Sequence, residues 1–160
     1  MQKKTIIGVI GASEASPCGL KSAYQIGRLI ARNGGVLVCG GLGGVMEAAS
    51  RGCAEAGGDV IGILPGDSSS AANRYVSLPI VTGMGHARNV IIAQTAQALI
   101  AIEGGHGTLS EIAIALKIGR TVVQLNSWPQ ISTTTPQAQT PEQAIEMVFA
   151  ELQKGELING

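Results

Sequence analysis

Aromatic residues are almost missing from this chain: one Trp, two Tyr and one Phe in 160 residues. Four rings cannot build the stacking platform on which single-stranded nucleic acid lies. Charge is also scarce, at 14% of residues, and eleven basic side chains balance eleven acidic ones. No basic field therefore exists to gather nucleic acid or an anionic membrane surface. The three cysteines, Cys18, Cys39 and Cys53, form an odd set without paired spacing. No histidine lies at metal-ligand separation from any of them, so neither a disulfide framework nor a metal site is expected, and all three read as buried small hydrophobes. Long apolar runs are absent too. The longest segment, 90–102, is broken by Gln94, Thr95 and Gln97 and falls short of a membrane span. The apolar stretch after Lys3 and Lys4 is short and meets Gly8 and Gly11, which suits a first strand better than a signal peptide. These features lead us to expect a cytoplasmic protein without a membrane partner, with nucleic acid disfavoured.

What is present is a chain long enough for one core, 45% hydrophobic, read as a single domain over 1–160. So little charge beside so much Ala, Ile and Val implies that a partner subunit covers some apolar surface, so a homo-oligomer is expected. Hydrophobic periodicity predicts strand 4–10, helix 19–33, strand 35–39, helix 44–57, strand 59–64, a polar loop 66–74 and a short strand near 77–82. Helix 85–96, strand 98–102, helix 108–118 and strand 120–125 follow. The segment 126–139, rich in Ser, Thr, Pro and Gln, reads as a loop, and Thr140-Pro141-Glu142-Gln143 caps a last helix over 140–154. Repeated strand and helix units of this kind give an α/β, Rossmann-like, doubly wound parallel sheet with helices on both faces.

The most informative stretch is EGGHGTLSE at 103–111, after the apolar run 98–102. A buried strand turning through Gly104, Gly105 and Gly107 into a helix presents free N–H groups and the positive end of the helix dipole, which together favour an anion. Thr108 can add a hydroxyl donor, and His106 can donate to a phosphate. Glu111, one turn in, suits a sugar hydroxyl, a water or a cation beside the phosphate rather than the phosphate itself. A single such turn is also explained by tight-turn geometry alone. The arrangement recurs, however. Gly40, Gly41, Gly43 and Gly44 follow the apolar run 36–39, and Gly11, Ala12 and Ser13 follow the first strand. Three turns at the carboxyl ends of three strands point to one ligand crevice. Arg88, at the head of an apolar helix, needs an anionic partner: Glu111, a ligand phosphate or both.

GGHGTLSE at 104–111 with the upstream Arg88 resembles the GGxGTxxE and arginine pair of the LOG family of nucleotide-binding Rossmann-like proteins. The resemblance covers 4 to about 125. Residues 39–66 and 87–123 look closest to the branch described as molybdenum cofactor carrier proteins. It implies two rival functions. LOG-type enzymes release free base and ribose 5-phosphate from nucleoside 5′-monophosphates. By that likeness Arg88 would orient the substrate, and Glu111 would stabilise the oxocarbenium ion or activate water. In the carrier branch the same crevice holds a phosphorylated pterin, molybdopterin or the molybdenum cofactor, and no cofactor is needed for catalysis. A dimer through 85–97 suits the enzyme-like branch and a tetramer the carrier branch.

Two departures from the enzymes favour carriage. Asn89 replaces a lysine beside the arginine, and Glu103 replaces a proline before the paired glycines, adding a charge that weakens anion binding if it points inward. A related core in the DNA-processing protein family makes a nucleic-acid module a third reading, disfavoured by neutral charge and few rings. A lysine decarboxylase is discounted, because none of Lys3, Lys4, Lys21, Lys117 and Lys154 lies in the glycine turns to form an aldimine. Recognition of the base or pterin is assigned to 66–77 and 126–139.

Overall fold

The computed structural model describes residues 2–128 and 135–159. Their elements run β1 (Ile6–Gly11), α1 (Pro17–Arg32), β2 (Val36–Cys39), α2 (Val45–Glu55), β3 (Val60–Leu64), β4 (Leu78–Val81), α3 (Arg88–Thr95), β5 (Ala98–Ile102), α4 (His106–Lys117), β6 (Thr121–Leu125), β7 (Gln137–Ala138) and α5 (Pro141–Asn159). All strands pair in parallel, in the order β4-β3-β2-β1-β5-β6-β7. The chain winds outward from β1 to β4, then returns through α3 to lay β5 on the other side of β1. The switch point of this α/β Rossmann-like domain is therefore the gap between β1 and β5.

Strands at the centre of such a sheet are covered on both faces, so they read as continuous apolar runs. All five residues of β5 are buried. Alternate side chains then feed two cores. One, built on Ile7, Leu37 and Ile100, is closed by α1, α2 and α5, while the other, built on Ile10, Val38 and Leu99, is closed by α3 and α4.

Several sequence boundaries shift for local reasons. Helix α1 starts at Pro17 rather than 19 because Ser16 caps it, its hydroxyl accepting from the Gly19 amide at 3.0 Å. The expected helix over 85–96 divides into a 3-10 turn, Gly85–Ala87, and α3. The polar loop at 66–74 holds a further 3-10 turn, Ser69–Ala71. Helix α5 continues to Asn159, beyond the expected end at 154. Within the expected loop 126–139, Gln137 and Ala138 form a short edge strand on β6, and residues 129–134 lie outside the described ones. Of the three cysteines, Cys39 and Cys53 are buried as expected, but Cys18 is exposed in the first turn of α1.

Candidate functional site

The three glycine turns end three neighbouring central strands, β2, β1 and β5, at their carboxyl ends. Between them lies a cleft of about 370 Å³, lined by Gly11, Ala12 and Ser13 from the β1 turn, Gly40 after β2, Arg88 from α3, and Gly105, His106, Gly107, Thr108 and Glu111 from α4. Helix α4 begins two residues earlier than the sequence suggested, so His106, Gly107 and Thr108 make up its first turn. No side chain caps it, since its N-cap position is Gly105. First-turn amides without an intrahelical partner, at the positive end of the dipole, favour an anion. Gly104 permits this entry. Its φ is +111°, and a Cβ there would lie 2.4 Å from the Thr108 hydroxyl.

Arg88 and Glu111 face each other inside the cleft, Nη1 to Oε1 at 3.9 Å, with side chains 11% and 8% exposed. Burial pushes the Glu111 carboxyl up to about 7, with the Arg88 guanidinium opposing that rise only in part. Burial likewise lowers Arg88, opposed by Glu111. Asn89 is the neighbour that sequence reasoning treated only as a lost lysine. It is buried, accepts a short hydrogen bond from Arg88 Nη1 through Oδ1, and donates Nδ2 to Ser110 Oγ at 3.4 Å. Arg88 Nε is buried without a hydrogen-bond acceptor among the described residues. A Cβ at Gly40 would stand 2.8 Å from Arg88 Nη2, so the bare backbone there makes room for the guanidinium.

The turns divide their labour. Gly40 lines the cleft, whereas Gly41, Gly43 and Gly44 do not. Gly41 ties the turn to the body of the protein: its amide donates to Cys39 Sγ at 3.4 Å and its carbonyl accepts from the Asn73 amide at 2.8 Å. Gly44 is the N-cap residue of α2 and borders a separate groove of about 490 Å³ between α1 and α2, which also takes Glu47 away from the cleft. In that groove Arg51 stacks over Tyr24 at 4.8 Å. Gly104 lies on an adjoining hollow rather than in the cleft itself. Met46 and Leu42 join the cleft wall, as does His86.

Trp128, the single tryptophan, gave no sequence signal. Its indole donates to the Gly105 carbonyl at 3.3 Å, and its ring lies 6.1 Å from His106. Glu103 does not aim into the α4 turn. It adopts φ +52°, and its carboxylate accepts from the Ser16 amide at 3.0 Å and from the Ser16 hydroxyl at the head of α1. Among the described residues no group of three or more His, Cys, Asp or Glu is placed to hold a metal ion. No described helix is long and apolar enough to cross a membrane.

Fold and site together define a Rossmann-like α/β protein with a glycine-lined crevice at its switch point. The SLOG cluster4 family model matches residues 4–155, and the chain belongs to that family. An uncharacterized protein of Archaeoglobus fulgidus is 48% identical over 139 residues, spanning 87% of this chain and 91% of that one. Among solved structures, the molybdenum cofactor binding protein of Rippkaea orientalis superposes with a TM-score of 0.90 at 40% identity, over 95% of this chain and 99% of the other. The molybdenum cofactor carrier protein of Chlamydomonas reinhardtii does so with a TM-score of 0.86 at 37% identity, over 94% and 99%.

Proposed function

We propose that this protein binds and carries a phosphorylated, nucleotide-like small molecule, with the molybdenum cofactor as its cargo. The observation that carries this reading is the uncapped first turn of α4 opposite Arg88, in a chain whose similarity to cofactor-binding carriers extends over nearly its whole length. The phosphate of the cargo would lie between the α4 amides and the Arg88 guanidinium. The partnerless Nε of Arg88 fits such a ligand. Because Glu111 titrates near 7, the cleft holds a largely uncharged carboxyl in mildly acidic solution, which limits repulsion of the anion. Gly11, Ala12 and Ser13 would floor the site, and Thr108 and His106 would complete the cradle.

The test is co-elution and transfer. Protein mixed with molybdenum cofactor released from a molybdoenzyme should retain it through gel filtration and restore activity to a cofactor-free molybdoenzyme. Arg88→Ala should retain at least about tenfold less, since a buried charge-assisted contact is removed. Wild-type protein that emerges without cofactor would contradict the proposal.

A second reading is favoured by one observation, the facing of Arg88 and Glu111 in the same cleft. This is the pair that a nucleoside 5′-monophosphate phosphoribohydrolase would use, with Glu111 poised near neutral pH for proton transfer. We also propose a homo-oligomer. Edge strand β4 and the turn after it leave Leu78, Ile80, Val81 and Met84 about half exposed, and a second copy would cover them.

A further inference from the structure

Charges of both signs surround the groove of about 490 Å³ between α1 and α2, and they do not neutralise one another. Lys21 comes from α1, and Glu47 and Arg51 from α2. Glu47 and Arg51 stand four residues apart with the carboxylate nearer the helix start, the order that favours an ion pair on a helix surface. That pair does not form. The ion pairs among the described residues are Lys4 with Asp59, Arg88 with Glu111 and Lys154 with Glu151.

Tyr24 is the reason. Its ring takes Arg51 at 4.8 Å and Arg28 at 5.9 Å, and its hydroxyl donates to the Glu55 carboxylate at 2.6 Å. Arg51 thus lies on the aromatic face instead of on Glu47, and the next carboxylate along α2 is held by the phenol. Neither the Lys21 ammonium nor the Glu47 carboxylate has a hydrogen-bond or ion-pair partner among the described residues.

Around these charges the walls are apolar. Leu20 and Ala48 line the groove, and Tyr75 closes it from the loop before β4, so both tyrosines of the chain border this hollow. The seam beneath it is fixed. A Cβ at Gly27 would run into the Ala49 carbonyl oxygen and one at Gly52 into that of Tyr24, so the two helices meet backbone to backbone. The groove is also separate from the cleft. Gly44 packs against the Ala12 and Ser13 carbonyls that border the cleft, and no residue lines both hollows.

We infer that this groove is a second small-molecule site whose ligand is a zwitterion with an apolar body, an α-amino acid with a large aliphatic or aromatic side chain. The α-carboxylate would lie between the Lys21 ammonium and the Arg51 guanidinium, the α-ammonium against Glu47, and the side chain on Leu20, Ala48 and Tyr75. Two cations and one anion around an apolar hollow match that charge pattern. A phosphate dianion would instead set its second charge against Glu47. The inference does not depend on what the cleft carries.

The experiment is calorimetric titration of the full chain with L-phenylalanine, with 3-phenylpropanoate, which lacks the ammonium, and with phenethylamine, which lacks the carboxylate. Wild type should bind phenylalanine saturably and about fivefold or more tightly than either analogue. Glu47→Gln should remove the advantage over 3-phenylpropanoate, and Arg51→Gln should reduce the advantage over phenethylamine. Both variants should bind inorganic phosphate as wild type does. Absence of saturable phenylalanine binding, an advantage that survives both substitutions, or phosphate affinity that falls together with phenylalanine affinity in these variants would overturn the inference.

Discussion

Glu111 holds the electrostatic character of the cleft. Its ordinary value is 4.5, and burial raises it to about 7 in the fold. Between those two values the folded chain keeps a proton that the unfolded chain has lost. Stability from this group is therefore greatest at and below pH 4.5 and falls as the pH rises to about 7, by about 3 kcal/mol at most. Thermal melts should accordingly show Glu111→Gln more stable than wild type at pH 8, with the gap closing towards pH 5. A gap that does not change with pH would contradict the burial argument. The same proton governs binding. Sulfate keeps its charge between pH 6 and 8, so its affinity should fall more steeply across that range in wild type than in Glu111→Gln, which keeps the cleft's two histidines. Glu103 shows why one kind of side-chain fact resists sequence reading. The residue type beside the glycines was plain, but the left-handed backbone that swings it to Ser16 depends on β6 and on Ser127.

At the scale of elements, the first turn of α4 carries the site. Gly104→Ala would place a methyl group on a backbone with φ +111° and against Thr108. The turn would have to open, at a cost of roughly 1–3 kcal/mol. Phosphate affinity should fall with stability in this variant, as measured by calorimetry beside a melt. In Ser16→Ala the loss should be confined to stability, of order 1 kcal/mol for a lost cap. The element pattern was largely legible in the sequence, because central parallel strands are apolar throughout and glycines mark their ends. Strand β7 was not. Two residues in a Ser, Thr, Pro and Gln-rich segment carry no period, and they become a strand only because β6 offers them an open edge. The start of α4 was missed for a related reason. His106 and Gly107 read as loop residues by propensity, and the fold makes them helical.

At the scale of the molecule, zero net charge and a single buried arginine in the cleft mean that recognition is local. Association with a monophosphate should depend weakly on salt, changing by no more than about threefold between 0.05 and 0.5 M NaCl, unlike a protein that steers its ligand through a broad field. A steep dependence, seen in stopped-flow binding, would mean that charges outside the cleft take part. The crevice was legible because three glycine turns at strand ends converge in a doubly wound sheet. The left-handed turns at Glu103 and Asn126 were not, since they follow from the register that pairs Ile102 with Leu125.

The most direct measurement is incubation of the purified protein with a panel of nucleoside 5′-monophosphates, following released base by chromatography and binding by calorimetry. The Arg88→Ala, Glu111→Ala double variant is run beside it. Carriage predicts saturable binding in wild type, weakened in the double variant, with no base released from any substrate. Base released by wild type and not by the double variant would contradict it and make the cleft the active site of a phosphoribohydrolase.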